Sequence, residues 1–161
     1  MGRAGEFGRD DVLTPAPAGR ERVAELLAVM ELVRSWAQRR TDIQAVGLAG
    51  SWARGAQRAD SDADFVVLTA ATEHYELSTE WIHDVLRQVA PVARTRHWGP
   101  VIERRLLLPS GFELEFGFTD PSWAQADPVD SGTARVVGDG FRVLYDPQGI
   151  LGRLVDAVCG L

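Results

Sequence analysis

Two short apolar runs and the loop between them constrain this chain more than any other feature. Residues 43–48 (Ile-Gln-Ala-Val-Gly-Leu) lead into Gly50-Ser51, and Asp62-Ala63-Asp64 then opens Phe65-Val66-Val67-Leu68. Both runs are strand-length and apolar enough to be buried on two faces. Side chains two apart on an extended strand point to the same face, so Asp62 and Asp64 present two carboxylates side by side. Such a pair suits a hard, oxygen-seeking divalent cation such as Mg²⁺. The Gly50-Ser51 turn offers backbone N–H groups and a hydroxyl, the donors that a phosphate needs. Residues 51–57 read as a short helix with its N-terminus toward that phosphate. Arg54 is placed to offer a guanidinium fork to phosphate oxygens.

The rest of the chain alternates helical and strand patterns. Residues 20–40 carry Val23, Leu26, Leu27, Met30, Val33, Trp36 and Ala37 at helical spacing. Residues 76–90 do the same with Leu77, Trp81, Val85, Leu86 and Val89, and stop at Pro91. Segments 92–97, 101–108 and 112–118 read as strands, with Pro109-Ser110-Gly111 joining the last two as a hairpin. In the third, Phe112, Leu114, Phe116 and Phe118 share one face, and Glu113, Glu115 and Gly117 the other. A polar loop over 119–132 is followed by a short helix at 131–137, a strand at 141–145 and a helix at 149–158. This order predicts an α/β (α+β) domain over residues 20–161, a mixed twisted sheet with helices packed on one side. Residues 1–19 are set apart as a disordered segment or a remnant of cloning.

Composition narrows the chemistry. All 17 basic residues are arginine, which excludes lysine Schiff bases and Walker-type phosphate loops. A net charge of −6 argues against a nucleic-acid partner and favours a cationic acceptor. The single cysteine, Cys159, has no partner for an internal disulfide and is expected to be buried and structural. No apolar run reaches membrane-span length and no hydrophobic signal core opens the chain, so a cytoplasmic, membrane-free protein is expected.

A phosphate cradle and metal-binding carboxylates on adjacent elements together read as nucleotidyl transfer. Gly50-Ser51, a ten-residue gap and Asp62-x-Asp64 resemble the signature of the polymerase β-type nucleotidyltransferase superfamily, in particular its minimal and its aminoglycoside and lincosamide members. The resemblance covers Val46 to Leu68 strongly and Arg104 to Phe118 more loosely. It implies a polymerase β-like fold and a third carboxylate from a separate strand. Glu115 is preferred because its face-mate Gly117 leaves room for substrate; Glu113 is the alternative. It further implies Mg²⁺, as two ions, on Asp62, Asp64 and Glu115, and a nucleoside triphosphate on Gly50, Ser51 and Arg54. The implied reaction moves a nucleoside monophosphate, AMP from ATP, onto a hydroxylated small molecule such as an aminoglycoside. Two alternatives stand beside it: an antitoxin-type enzyme that adds AMP to a partner toxin, and an inactive nucleotide-binding module. Trp98 and Trp123 are expected to pack in the core, with stacking on a base or lining an acceptor pocket as the alternative role. A homodimer or a protein partner is expected to complete that pocket near Trp123.

Overall fold

A computed structural model describes residues 19–160. The expectation for residues 1–19 lies, Gly19 apart, outside them. Helix α1 (Arg20–Arg39) is followed by strands β1 (Ile43–Ala49) and β2 (Ala63–Thr69), then helices α2 (Thr72–Leu77) and α3 (Glu80–Leu86). Strands β3 (Val92–Trp98), β4 (Val101–Leu107) and β5 (Glu113–Thr119) come next, and a 3-10 turn at Pro121–Ala124. Helix α4 (Ser131–Gly138), strand β6 (Phe141–Tyr145) and helix α5 (Ile150–Cys159) finish the fold. The six strands form one mixed sheet in the order β3-β4-β5-β2-β1-β6. Strands β2 and β5 run parallel, and every other neighbouring pair is antiparallel.

Strand alternation divides the core in two. Phe65, Val67, Leu114, Phe116 and Phe118 point to one face, where α1, α2 and α3 cover them with Val33, Trp36, Tyr75 and Trp81. Aromatic rings dominate there: Tyr75 stacks on Phe118 with centroids 4.5 Å apart, and Phe65 on Phe116 at 5.0 Å. Ala45, Ala49, Val66 and Leu68 point to the other face and pack with Val137, Leu151 and Leu154 of α4 and α5. Helices thus pack on both faces of the mixed sheet rather than on one side as expected, with α1, α2 and α3 forming the larger layer. Helices α4 and α5 cover the β1 and β6 end of the second face.

Four local expectations change. Residues 51–57 form turns rather than a helix, because Gly55 takes φ +72° and interrupts the helical run. Residues 76–90 are two helices, not one. Ser78 is extended, its N–H closes α2 on the His74 carbonyl, and its Oγ accepts the Glu80 N–H at the start of α3. The break leaves Leu77 exposed, and α3 ends at Leu86, where Arg87 turns left-handed (φ +59°), so Val89 is exposed as well. Cys159 is likewise exposed, on the last turn of α5.

Arg104 holds the α2–α3 break in place. Its side chain is buried, and Nη1 donates to the carbonyls of Tyr75 (2.5 Å), Glu76 (2.6 Å) and Ser78 (3.4 Å). Burial lowers its pKa, and the nearby Glu76 charge opposes that. Arg104→Met should therefore destabilise the fold by about 2–4 kcal/mol, because it removes the donor to the buried Tyr75 carbonyl and to the part-buried carbonyls of Glu76 and Ser78. Urea unfolding of the two proteins side by side measures this.

Candidate active site

Parallel pairing of β2 with β5 puts Glu115 beside Asp64, and antiparallel pairing of β5 with β4 puts Arg105 beside Glu115. Asp62, Asp64 and Glu115 each bring one carboxylate oxygen to within 4.8 Å of the others, and all three residues are half-buried. The structure thus assembles the three acidic residues read from the sequence. Glu113, the alternative, sits at the edge of the cluster. Its side chain is 39% exposed against 14% for Glu115, and it pairs with Arg105 at 2.6 Å.

The turn after β1 closes on this cluster. Gly50 takes φ +83°, and a Cβ built there would lie 3.0 Å from Asp64 Oδ2. Glycine is required twice over, for the backbone angle and for the approach of the carboxylate. The Gly50 N–H, expected to face a phosphate, donates instead to the Gly140 carbonyl at 3.0 Å. Gly50 therefore shapes the site rather than offering its N–H to it. Trp52 packs beneath, with its indole N–H on the Ser61 carbonyl (3.3 Å) and its ring against Phe112. Arg54 is exposed, and its Nη1 donates to the Asp139 carbonyl (2.8 Å) just past α4. The structure does not bring Arg54 into the carboxylate cluster.

Three residues that the sequence reading did not single out join the site. Arg105 Nη2 donates to Asp62 Oδ2 (2.8 Å) and to Glu115 Oε1, while its Nη1 donates to Glu113. Arg94, from the edge strand β3, reaches Glu103 (3.0 Å) and Glu115 (3.3 Å). Glu103 also accepts the indole N–H of Trp98 at 2.9 Å. A usable signal was present. Hairpin partners lie at equal distances from the turn centre, so a turn centred on Ser110 pairs Arg105 with Glu115 and Glu103 with Gly117, as observed.

Between these residues lies a cavity of about 240 Å³. Asp64, Glu103 and Glu115 supply its acidic lining, and Trp98 and Trp123 its aromatic lining. Trp98 is 54% exposed and Arg96 stacks on its ring at 5.0 Å; Trp123 packs against Phe141.

Charge sets the character of the cluster. Burial pushes the Asp64 carboxyl up to about 6, the Glu103 charge adds to that, and Arg105 opposes it. Burial also raises Asp62, against the pull of Arg105 and with a further push from Asp64 and Glu113. Asp64 Oδ1 is buried with no hydrogen-bond partner. A buried, unpaired carboxylate oxygen facing two more carboxylates fits a hard divalent cation, which would take up both the lone pairs and the charge.

Residues 29–97 match the family described as the nucleotidyltransferase domain. No curated protein matches the chain. Among solved structures, it is similar to a cytoplasmic RNA terminal U-transferase, with 17% identity and a TM-score of 0.48 over 64% of this chain and 31% of that one. It is similar to the Cid1 poly(U) polymerase with Mg and 3'-dATP bound, with 15% identity and a TM-score of 0.47 over 63% and 32%. A toxin–antitoxin structure with AMP-PNP shows 14% identity and a TM-score of 0.43 over 81% and 84%. The chain spans about a third of the length of the first two. No helix among the described residues is long and apolar enough to cross a membrane.

The raised Asp64 carboxyl carries a stability signature. Between its ordinary value of 3.8 and about 6 the folded protein holds a proton there that the unfolded chain has released. Ionising Asp64 should therefore cost the metal-free fold about 3 kcal/mol as pH rises through that window. Asp64→Asn should remove this loss, which denaturant melts from pH 4 to 7 on both proteins would show. A divalent cation held by these carboxylates would require the ionised form, so its stabilisation of the wild type should grow as pH rises through about 6.

Proposed function

We propose that this chain is a nucleotidyltransferase of the polymerase β type that transfers AMP from ATP to a hydroxyl group on a small, cationic acceptor, a reading supported by the match of residues 29–97 to the nucleotidyltransferase domain. The observation that carries the reading is the convergence of Asp62, Asp64 and Glu115, with one buried oxygen of Asp64 left unpaired. Mg²⁺ held by these three carboxylates would neutralise the triphosphate and make its α-phosphorus a better electrophile. Ser51 and the turn around it hold the far phosphates, and the absence of a side chain at Gly50 lets them lie against Asp64. The acceptor sits in the cavity, where its positive charge meets Glu103 and its body lies against Trp98 and Trp123. Its hydroxyl oxygen attacks the α-phosphorus as Glu115 takes the proton. The bond from that phosphorus to the bridging oxygen breaks, pyrophosphate leaves with the electron pair, and the acceptor keeps AMP.

The acidic lining favours a cationic acceptor through its field as well as through direct contact. A second reading, transfer to a partner protein such as a toxin, rests on the placement of Trp98. It stands exposed at the end of edge strand β3, where a segment of another chain has access to the cavity. Residues 20–161 act as one catalytic domain in both readings.

Thermal-shift screening with Mg²⁺ and each nucleoside triphosphate, followed by a panel of aminoglycoside and other hydroxylated acceptors, tests the proposal. ATP with Mg²⁺ should stabilise the fold more than either alone. Triphosphate binding that is tight and indifferent to EDTA would refute the carboxylate–metal arrangement. In turnover assays Asp64→Asn should abolish transfer while the protein stays folded. Glu115→Gln should lower the rate by about 10² or more, and Glu113→Gln by much less. The reverse order for the two glutamates would assign the third position to Glu113.

A further inference from the structure

Arg105 occupies an unusual position in the acidic cluster. Its guanidinium touches three carboxylates at once: Glu113 through Nη1, and Asp62 Oδ2 and Glu115 Oε1 through Nη2. Two of these belong to the set that would hold a divalent cation. Asp64, the third member, has no such contact, and its Oδ1 is bare. Arg94 does not duplicate the role, since it reaches Glu115 and Glu103 but makes no bond to Asp62. A dication beside this guanidinium would meet like charge at close range in a partly buried site, where water screens poorly.

We infer that Arg105 is the resident counter-ion of the site. It neutralises Asp62 and Glu115 in the metal-free protein, and a divalent cation must displace it from those two residues. The inference rests on the proposed metal-dependent function and adds a competitor for the same oxygens. Bound to Glu113 at the rim, the displaced guanidinium has phosphate oxygens as the partner that its fork fits best. Metal alone therefore binds weakly, and metal together with a triphosphate binds well, because the triphosphate gives Arg105 a new partner. Arg105 is in this sense a positioning residue that couples the two ligands.

The test is Mn²⁺ binding to the full chain, measured by electron paramagnetic resonance, with and without a non-hydrolysable triphosphate. Wild type, Arg105→Met and Arg105→Lys are compared, and their metal-free melting temperatures are recorded. Arg105→Met should bind Mn²⁺ alone about tenfold or more tightly than wild type, since the competing charge is gone. Arg105→Lys, one compact ammonium that cannot bridge three carboxylates, should fall between them. It decides the question where the methionine variant does not fold. The metal-free melting temperature should fall in Arg105→Met, and triphosphate should tighten Mn²⁺ binding more in wild type than in either variant. Equal Mn²⁺ affinity in wild type and the folded variants, with triphosphate still enhancing binding equally in each, would overturn the counter-ion role and leave the metal site standing. Failure of every protein to bind Mn²⁺, even with triphosphate, would overturn both this inference and the function on which it rests.

Discussion

Everything at the acidic site depends on β2 and β5 running in the same direction. Asp64 and Glu115 both lie near the start of their strands, and parallel pairing puts two strand starts at the same level of the sheet. An antiparallel pair would place one strand's start against the other's end and separate the two carboxylates by the length of a strand. Parallel neighbours need a long crossover, and here residues 70–112 provide it with α2, α3, β3 and β4. That crossover also contributes to the site, because its last strand brings Arg105 and Glu103 to the same face.

The face so formed carries a charge surplus. Asp62, Asp64, Glu103, Glu113 and Glu115 converge near Arg94 and Arg105, so carboxylates outnumber guanidiniums among these residues. Burial makes the imbalance costly, and the raised Asp64 carboxyl is its visible sign. The other sheet face carries one buried charge, Arg104, held by backbone carbonyls rather than by a carboxylate. Its aromatic cluster packs the sheet against α1, α2 and α3, while the acidic face retains an unsatisfied demand for positive charge.

Much of this was legible in the residues. The alternation of 112–118 separated Phe112, Leu114, Phe116 and Phe118 from Glu113, Glu115 and Gly117, and the structure buries the first group in the core and lines the site with members of the second. Asp62 and Asp64 followed from alternate spacing in extended chain, although β2 begins at Ala63 and leaves Asp62 just before it. What escaped depended on contacts between distant segments. Arg94 comes from the edge strand, and nothing near it in sequence announces Glu115. The 51–57 segment contains helix-compatible residues, but the Gly140 carbonyl takes the Gly50 N–H and Gly55 turns the chain. The 76–90 pattern looked continuous because Leu77 and Val89 sit at helical spacing. Its interruption comes from Ser78, which caps α2 and accepts the Glu80 N–H as α3 begins, and from Arg104 arriving from β4.

The bond between Gly50 and Gly140 has a consequence for the order in which the protein matures. Gly140 takes φ +128°, and a Cβ there would crowd the Gly50 carbonyl at 3.0 Å, so the two backbones meet with no side chain between them. The turn that frames Asp64 is thus buttressed by a segment that leaves the ribosome some ninety residues later. Until residue 140 has emerged and β6 has docked along β1, the turn lacks its backbone partner, although Asp62, Asp64 and Glu115 have all been synthesised. The nascent chain acquires its acidic residues early and the frame that organises them late.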